Sequence, residues 1–299
     1  MVLSGLCFAM MGAAVKLSGD LPLPTKVFFR NLVTLGITSA VAIGLRQNPF
    51  GAAAHLKWLL LRSVSGLLGV FLYFLALGQM NLADASLLNK TSPFFVAVFA
   101  VMFLNEKLNR TVVVSLVVAF LGAMLVIKPT FDASMLPALA GLGSGMFAGV
   151  AYTIVRGLKG RVNPNRIIFY FSLVSCTATL PFLIAAPPSP DRGQWLALIG
   201  TGIFAAGGQY GLTYAYHYAR ASRISIFTYL HVLFALGVGF LIWGERPDVL
   251  SWIGGGMIVG AALASQRRPR GHRAAIPEAL TSTTPAGRCR APGRSADHG

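Results

Sequence analysis

Two basic residues stand where a long apolar stretch keeps water away: Arg30 within Thr25–Leu45 and Lys90 within Ala83–Leu104. An ionisable side chain inside a membrane span is costly and by default marks a functional site. At about 1.5 Å of helix per residue, both lie roughly 7–10 Å below the same membrane surface. Two cations at one depth attract an anion, such as the carboxylate or phosphate of a solute. The alternative is that each side chain snorkels to the headgroups or bonds helix carbonyls. His231, with Thr228 and Tyr229 beside it, sits mid-stretch in Ser222–Trp243. It titrates near neutrality and suits proton movement, or else a plain hydrogen bond to a neighbouring helix. Tyr210 and Tyr214 are four apart and share a helix face. With Tyr73 and Tyr152 they suit the lining of a cavity for an aromatic or amphipathic solute, whereas Tyr216 and Tyr218 fit an interfacial belt. Asp84, Glu106, Glu245 and Asp248 all fall at the ends of apolar stretches, so the pattern holds no deep carboxylate relay.

The absent motifs narrow the chemistry further. There is no Gly-x4-Gly-Lys-Ser/Thr loop for nucleotide hydrolysis, no His-Glu-x2-His and no Gly-x-Ser-x-Gly. Cys7, Cys176 and Cys289 lie far apart, with no metal-binding spacing. Neither a cofactor nor a metal is expected.

The elements that must position these residues are apolar helices. The chain has 299 residues, 55% hydrophobic and 11% charged. A soluble domain carries about 25% charged residues, so a water-soluble enzyme, a disordered chain and a fibrous repeat are excluded. A bilayer core needs about 20 apolar residues per helix, and the chain supplies ten such stretches. They are Val2–Leu17, Thr25–Leu45, Leu59–Leu77, Ala83–Leu104, Thr111–Ile127, Leu136–Val155, Ile167–Ala186, Trp195–Tyr216, Ser222–Trp243 and Leu250–Ala264. The first begins almost at residue 1 with no basic n-region, so it does not read as a signal peptide, and the completeness of its inner end is left open. Gly141-x3-Gly145-x3-Gly149, Gly207-x3-Gly211 and Gly256-x3-Gly260 favour close helix packing. Pro93, read as lying inside a helix, removes a backbone bond and invites a kink or hinge. Residues 266–299 carry seven arginines and two acids and no apolar period, the signature of a disordered cytoplasmic tail.

The formal charge of +16 points to nucleic acid or to membrane orientation. The placement of the charges decides. With the N-terminus inside, the inner joins hold Arg46, Lys57, Arg62, Lys107, Arg110, Arg156, Lys159, Arg161, Arg166, Arg220 and Arg223. The outer joins hold only Lys16, Lys26, Lys128, Arg192 and Arg246. Both termini are therefore expected in the cytoplasm, and no nucleic-acid partner is expected. Only Arg30 and Lys90 are left unexplained by topology.

The halves repeat at a shift of 139 residues. Phe103-Leu104-Asn105-Glu106-Lys107 overlies Ile242-Trp243-Gly244-Glu245-Arg246, Gly69 meets Gly208, Ala76 meets Ala215 and Ser86 meets Ser225. Five spans per half is an odd number, so the second copy inserts upside down. Inverted repeats mark many secondary transporters, whose site lies between the halves. Glu106 and Glu245, paired by the repeat, read as helix-end anchors or gating residues.

The chain resembles the EamA type of the drug/metabolite transporter superfamily. The stretches that carry the resemblance are Lys16, Pro24 and Arg30; Ala76-x6-Ala83-x-Ala85-Ser86-Leu87-Leu88; Thr91-Ser92-Pro93-Phe94-Phe95-Val96; and Leu104-Asn105-Glu106-Lys107-Leu108. The second half adds Ala215, Ser225 and Gly244-Glu245-Arg246-Pro247, although Val232 stands where Pro93 has its repeat mate. The resemblance covers about residues 1–265. It implies an all-α integral membrane protein of ten transmembrane helices, built as two inverted five-helix repeats (1–128 and 136–265) around a central cavity. It also implies movement of metabolites or drugs through the cytoplasmic membrane, often outward. The expected partners are a small-molecule solute and membrane lipids, with a homodimer left open. The rival functions are a membrane-embedded enzyme gripping a lipid-linked phosphate with Arg30 and Lys90, and a sensor signalling through the tail. An enzyme would be expected to show a cluster of Asp, Glu or His, and the sequence has none.

Overall fold

The computed structural model describes residues 1–50, 53–77, 79, 88–127, 135–244 and 248–266. The expected tail and Glu245 therefore fall outside the described residues. Within them run ten long helices: α1 (Val2–Leu17), α2 (Leu23–Gly44), α3 (Leu56–Leu77), α4 (Ser92–Leu104), α5 (Arg110–Ile127), α6 (Met135–Gly157), α7 (Pro164–Ala185), α8 (Arg192–Tyr218), α9 (Leu230–Trp243) and α10 (Val249–Gln266). No strand occurs among the described residues. Length and hydropathy suffice for a membrane crossing in α2, α3, α6, α7 and the stretch Ser225–Ile242, while α1, α4, α5 and α10 are apolar but shorter.

The bounds follow the apolar stretches except at two places. The ninth stretch is broken: a short turn, Ala221–Ile224, passes into a 3-10 segment, Ser225–Tyr229, before α9 begins. A 3-10 interruption of this kind often marks a hinge. The fourth is also interrupted. Leu88 and Asn89 are helical, the chain turns at Lys90 and Thr91, and α4 starts at Ser92. This overturns the kink expected at Pro93. That residue lies in the first turn of α4, where its missing N–H would have had no partner anyway. At their far ends the two helices stop alike. Asn105 (φ 51°) and Gly244 (φ 67°) close α4 and α9 in the left-handed conformation that favours Gly and then Asn.

The helix contacts carry the symmetry of the sequence repeat. α1 packs on α8 and on α9, as α6 packs on α3 and on α4; α2 packs on α8, as α7 packs on α3. The pairs α2–α7 and α5–α10 join the halves directly. Exchanging α1–α5 for α6–α10 maps this set of contacts onto itself, as a two-fold axis between the halves requires. The bundle is apolar outside and partly polar inside. Leu196, Leu241 and Leu263 are exposed, whereas Ser63, Thr34, Thr153 and Thr179 are buried. Those hydroxyls donate back to the carbonyls four residues earlier, Leu59, Arg30, Gly149 and Ser175 respectively, and so need no water.

Small residues set the helix spacing, though not at every motif. A Cβ on Gly149 would stand 2.6 Å from that of Phe95 in α4, and one on Gly211 2.9 Å from that of Ser4 in α1. Gly256 and Gly260 face open space instead, so the third glycine motif packs against nothing described. Gly149→Ala should therefore force α4 and α6 apart, at about 1–3 kcal/mol for overpacking. Gly260→Ala should be neutral or slightly stabilising. Thermal melting of the two variants in detergent, compared with the parent chain, checks the contrast.

Candidate functional site

A cavity of about 620 Å³ runs alongside α1, from Met1 to Gly19, with walls from α2, α3, α6, α8 and α9. That volume suits a small metabolite. Of the residues expected from sequence, Arg30, Lys90, Tyr73, Tyr152 and His231 all line it. Tyr210 and Tyr214 do not. Tyr210 donates to Asn165 Oδ1 at the start of α7, and Asn165 Nδ2 donates in turn to the Thr38 carbonyl. Tyr214 is 41% exposed and stacks between Tyr210 and Tyr218 on the outside of α8.

Arg62 is the main residue that sequence reading misplaced. Counted among the inner joins, it lies instead in the second turn of α3, only 1% exposed, and it lines the cavity. Its Nη2 donates to Gln209 Oε1 on α8 at 3.3 Å, while Nε and Nη1 have no hydrogen-bond partner among the described residues. Its guanidinium carbon lies 4.2 Å from the centre of the Phe171 ring, and that of Arg30 lies 5.7 Å from the same centre. Gly66 leaves room for this arrangement: a Cβ there would meet Phe171 at 3.0 Å and Arg62 Nη1 at 3.3 Å. Arg30, 5% exposed, reaches Met11 Sδ and Asn31 Oδ1. Tyr152 lines the same cavity and stacks on Tyr216. The sequence signal for Arg62 was available. It is a charge inside Trp58-Leu59-Leu60-Leu61-Arg62-Ser63, with a glycine one turn on that makes space on the same face.

Lys90 and His231 form a second group on another wall. Lys90 stands in the turn before α4, and His231 in the first turn of α9. The Tyr229 hydroxyl donates to the Lys90 carbonyl at 2.9 Å and so ties the two helix starts together. Asn89, also lining the cavity, donates to Ser144 Oγ on α6. No Asp or Glu occurs among the described lining residues. The cations come from one half only. At the repeat shift, Arg62 faces Thr201 and Lys90 faces Tyr229, both neutral.

The two ends of the cavity differ. Gly12, Lys16 and Gly19 line it and are exposed, so it opens at the α1–α2 turn, where Gly19 adjoins Gln194. The opposite end is packed with Val155, Leu158, Leu212 and Tyr216, against which Met1 rests. Glu106, just past α4, spans this closed end. Its Oε1 accepts from Arg156 Nε of α6 at 3.3 Å and from the Ala221 amide at 3.1 Å. Arg156 Nη1 donates to the His217 carbonyl of α8, and Arg220 donates to the Lys107 carbonyl. Four separate segments are thus tied at one point. No cluster of His, Cys, Asp and Glu able to hold a metal occurs among the described residues.

The profile of the EamA-like transporter family matches residues 1–128 and again residues 135–265. The chain belongs to that family. It is 34% identical, over 90% of its length and 95% of the relative's, to the pseudopaline exporter CntI of Pseudomonas aeruginosa strain UCBPP-PA14. It is 27% identical to the riboflavin transporter of Vibrio cholerae, over 87% of this chain and 89% of that one. A solved crystal structure shares the fold, with a TM-score of 0.78 at 17% identity over 88% of this chain and 94% of the other. As a member of an EamA-like family with transporters for relatives, this chain is a multi-pass membrane transporter of the drug/metabolite superfamily that handles small-molecule solutes, and not an enzyme.

The polar tie at α2, α7 and α8 is structural. Tyr210→Phe should lower thermal stability by about 1 kcal/mol, the usual loss for one hydrogen bond. It should leave solute transport by the reconstituted protein at the parent rate.

Proposed function

We propose that this EamA-family chain exports a carboxylate-bearing metabolite across the cytoplasmic membrane by alternating access. The observation that carries the reading is the charge of the cavity wall: Arg30, Arg62 and Lys90 with no acid among the described lining residues. Buried cations without counter-charges favour an anionic guest. The relative that is named an exporter supports the outward direction. An amino acid or a related metabolite fits the volume and the single sign of charge.

The basic joins support the orientation. Lys107, Arg110, Arg156, Lys159, Arg161, Arg166, Arg220 and Arg223 gather at the Glu106 end, which the positive-inside rule assigns to the cytoplasm together with both termini. The cavity then faces outward, and the Glu106 tie is the closed inner gate. For solute to enter from the cytoplasm, α4, α6 and the segment before α9 must separate there. A mirrored closure between the repeats at the Lys16 end completes the cycle.

Counterflow of radiolabelled amino acids and other carboxylates in proteoliposomes tests the function. Lys90→Ala removes one charge-assisted contact, about 1.5–3 kcal/mol, and should cut counterflow of an anionic solute about tenfold or more while insertion is unchanged. Tyr152→Ala should raise KM, whereas Tyr214→Ala should not. Uptake unchanged in Lys90→Ala would sink the anion reading.

Glu106→Gln should loosen the inner gate. The gate test labels a cysteine placed at Gly12 with a membrane-impermeant maleimide from outside. Labelling should slow severalfold in the Glu106→Gln background, as the population moves toward inward-open. Labelling of Gly12→Cys only from the cytoplasmic face would instead reverse the orientation.

A further inference from the structure

Apart from Lys16 and Lys26 near the open end, the basic lining falls into two groups, and that division bears on what the cavity holds. The first group is Arg30 and Arg62, whose guanidiniums sit against the one Phe171 ring. Arg62 is 1% exposed, and two of its nitrogens have no partner among the described residues, so a planar anion can bond to them. The second group is Lys90 and His231, at the starts of α4 and α9, which the Tyr229 hydroxyl ties together through its bond to the Lys90 carbonyl. These are half-helices of 13 and 14 residues that begin inside the bundle. A helix start carries a partial positive charge, which adds to the Lys90 ammonium. His231 Nδ1, which also has no partner among the described residues, completes this second pole. The poles stand on different walls, α2, α3 and α7 against the turn before α4 and the start of α9, and both border the same space.

A single carboxylate satisfies one pole and leaves the other buried and uncompensated. We propose that the solute carries two separate anionic groups, one held by Arg30 and Arg62 over Phe171, the other by Lys90 and His231 at the paired starts of α4 and α9. This rests on the anion-carrier reading above and narrows it to dianionic or polyanionic metabolites. Because Arg30, Arg62 and Lys90 all belong to one half, such a solute sits in one orientation.

The test is ligand-induced thermal stabilisation of the purified full-length protein. The probes are succinate, glutarate, adipate and suberate, their monomethyl esters, and 3-phosphoglycerate, all at matched ionic strength. At least one diacid should bind about tenfold or more tighter than its own monoester, which is the worth of one charge-assisted contact. Lys90→Gln should weaken that diacid severalfold more than its monoester and so bring the two affinities together. Arg62→Gln should weaken both ligands, and Arg62→Lys should recover part of the loss. Melting of the unliganded variants reports whether they fold. Binding of 3-phosphoglycerate in place of the diacids would support two anionic groups with a phosphate as one of them. Equal binding of diacid and monoester, an equal loss of both in Lys90→Gln, or no stabilisation by any probe would each overturn the two-pole proposal. If single-charge carboxylates still show counterflow in those cases, the anion-carrier reading stands without it. If only neutral or cationic solutes are carried, both readings fail together.

Discussion

Two guanidinium groups lie against one phenyl ring inside a helical bundle, and no carboxylate among the described residues meets them there. Much of the site depends on that imbalance. A buried charge pair is ordinarily neutralised in place; here the counter-charge is left to whatever enters the cavity. The aromatic face and the amide of Gln209 hold the Arg62 side chain while leaving two of its nitrogens open. The neighbouring small residue, Gly66, is what allows the ring and the guanidinium to approach. Packing and recognition at this point are therefore one arrangement.

The helix contacts explain how an asymmetric site arises on a symmetric frame. Exchange of the halves preserves which helices touch, and the left-handed caps at Asn105 and Gly244 fall on equivalent positions. Close approach is repeated as well: Gly69 meets Phe147, and its mate Gly208 meets Phe8, the mate of Phe147. The frame needs this equivalence, because two similar halves that open in turn must pack alike. Ligand recognition does not need it. Arg62 has the neutral Thr201 as its mate, and the mate of Lys90, Tyr229, is buried, so the matching positions of the second half present a solute with no charge.

Helix interruptions account for the remaining placement. Had the fourth and ninth stretches run as unbroken helices, Lys90 and His231 would project from regular surfaces with every backbone amide satisfied. The turn at Lys90–Thr91 and the 3-10 segment Ser225–Tyr229 instead begin α4 and α9 inside the bundle. Exposed amides at depth are tolerated only where they border a cavity or find protein partners. The Phe227 carbonyl is such a partner for the Leu230 amide, and the Tyr229 hydroxyl serves the Lys90 carbonyl in the same way.

Much of this was legible in the residues alone. Apolar length gives ten helices, because hydrocarbon thickness and helix rise leave little choice. Five spans per half and the Glu-basic pairs give the family, and a charge amid apolar residues singles out Arg30 and Lys90. The tyrosines were half legible: spacing puts Tyr210 and Tyr214 on one face but cannot say whether that face turns inward, and it turns toward α7 and the outside. Arg62 was hidden because a charge near a helix end reads as a loop residue until its neighbours are known. Pro93 misled for the reverse reason, since hydropathy does not register a helix that restarts. Sequence periodicity determined which elements form, because that follows from local spacing and the solvent each face requires. Only the tertiary structure decided which charges share a cavity and which end of it Glu106 holds shut, because both depend on contacts between residues more than a hundred positions apart, such as Arg62 with Gln209 and Glu106 with Ala221.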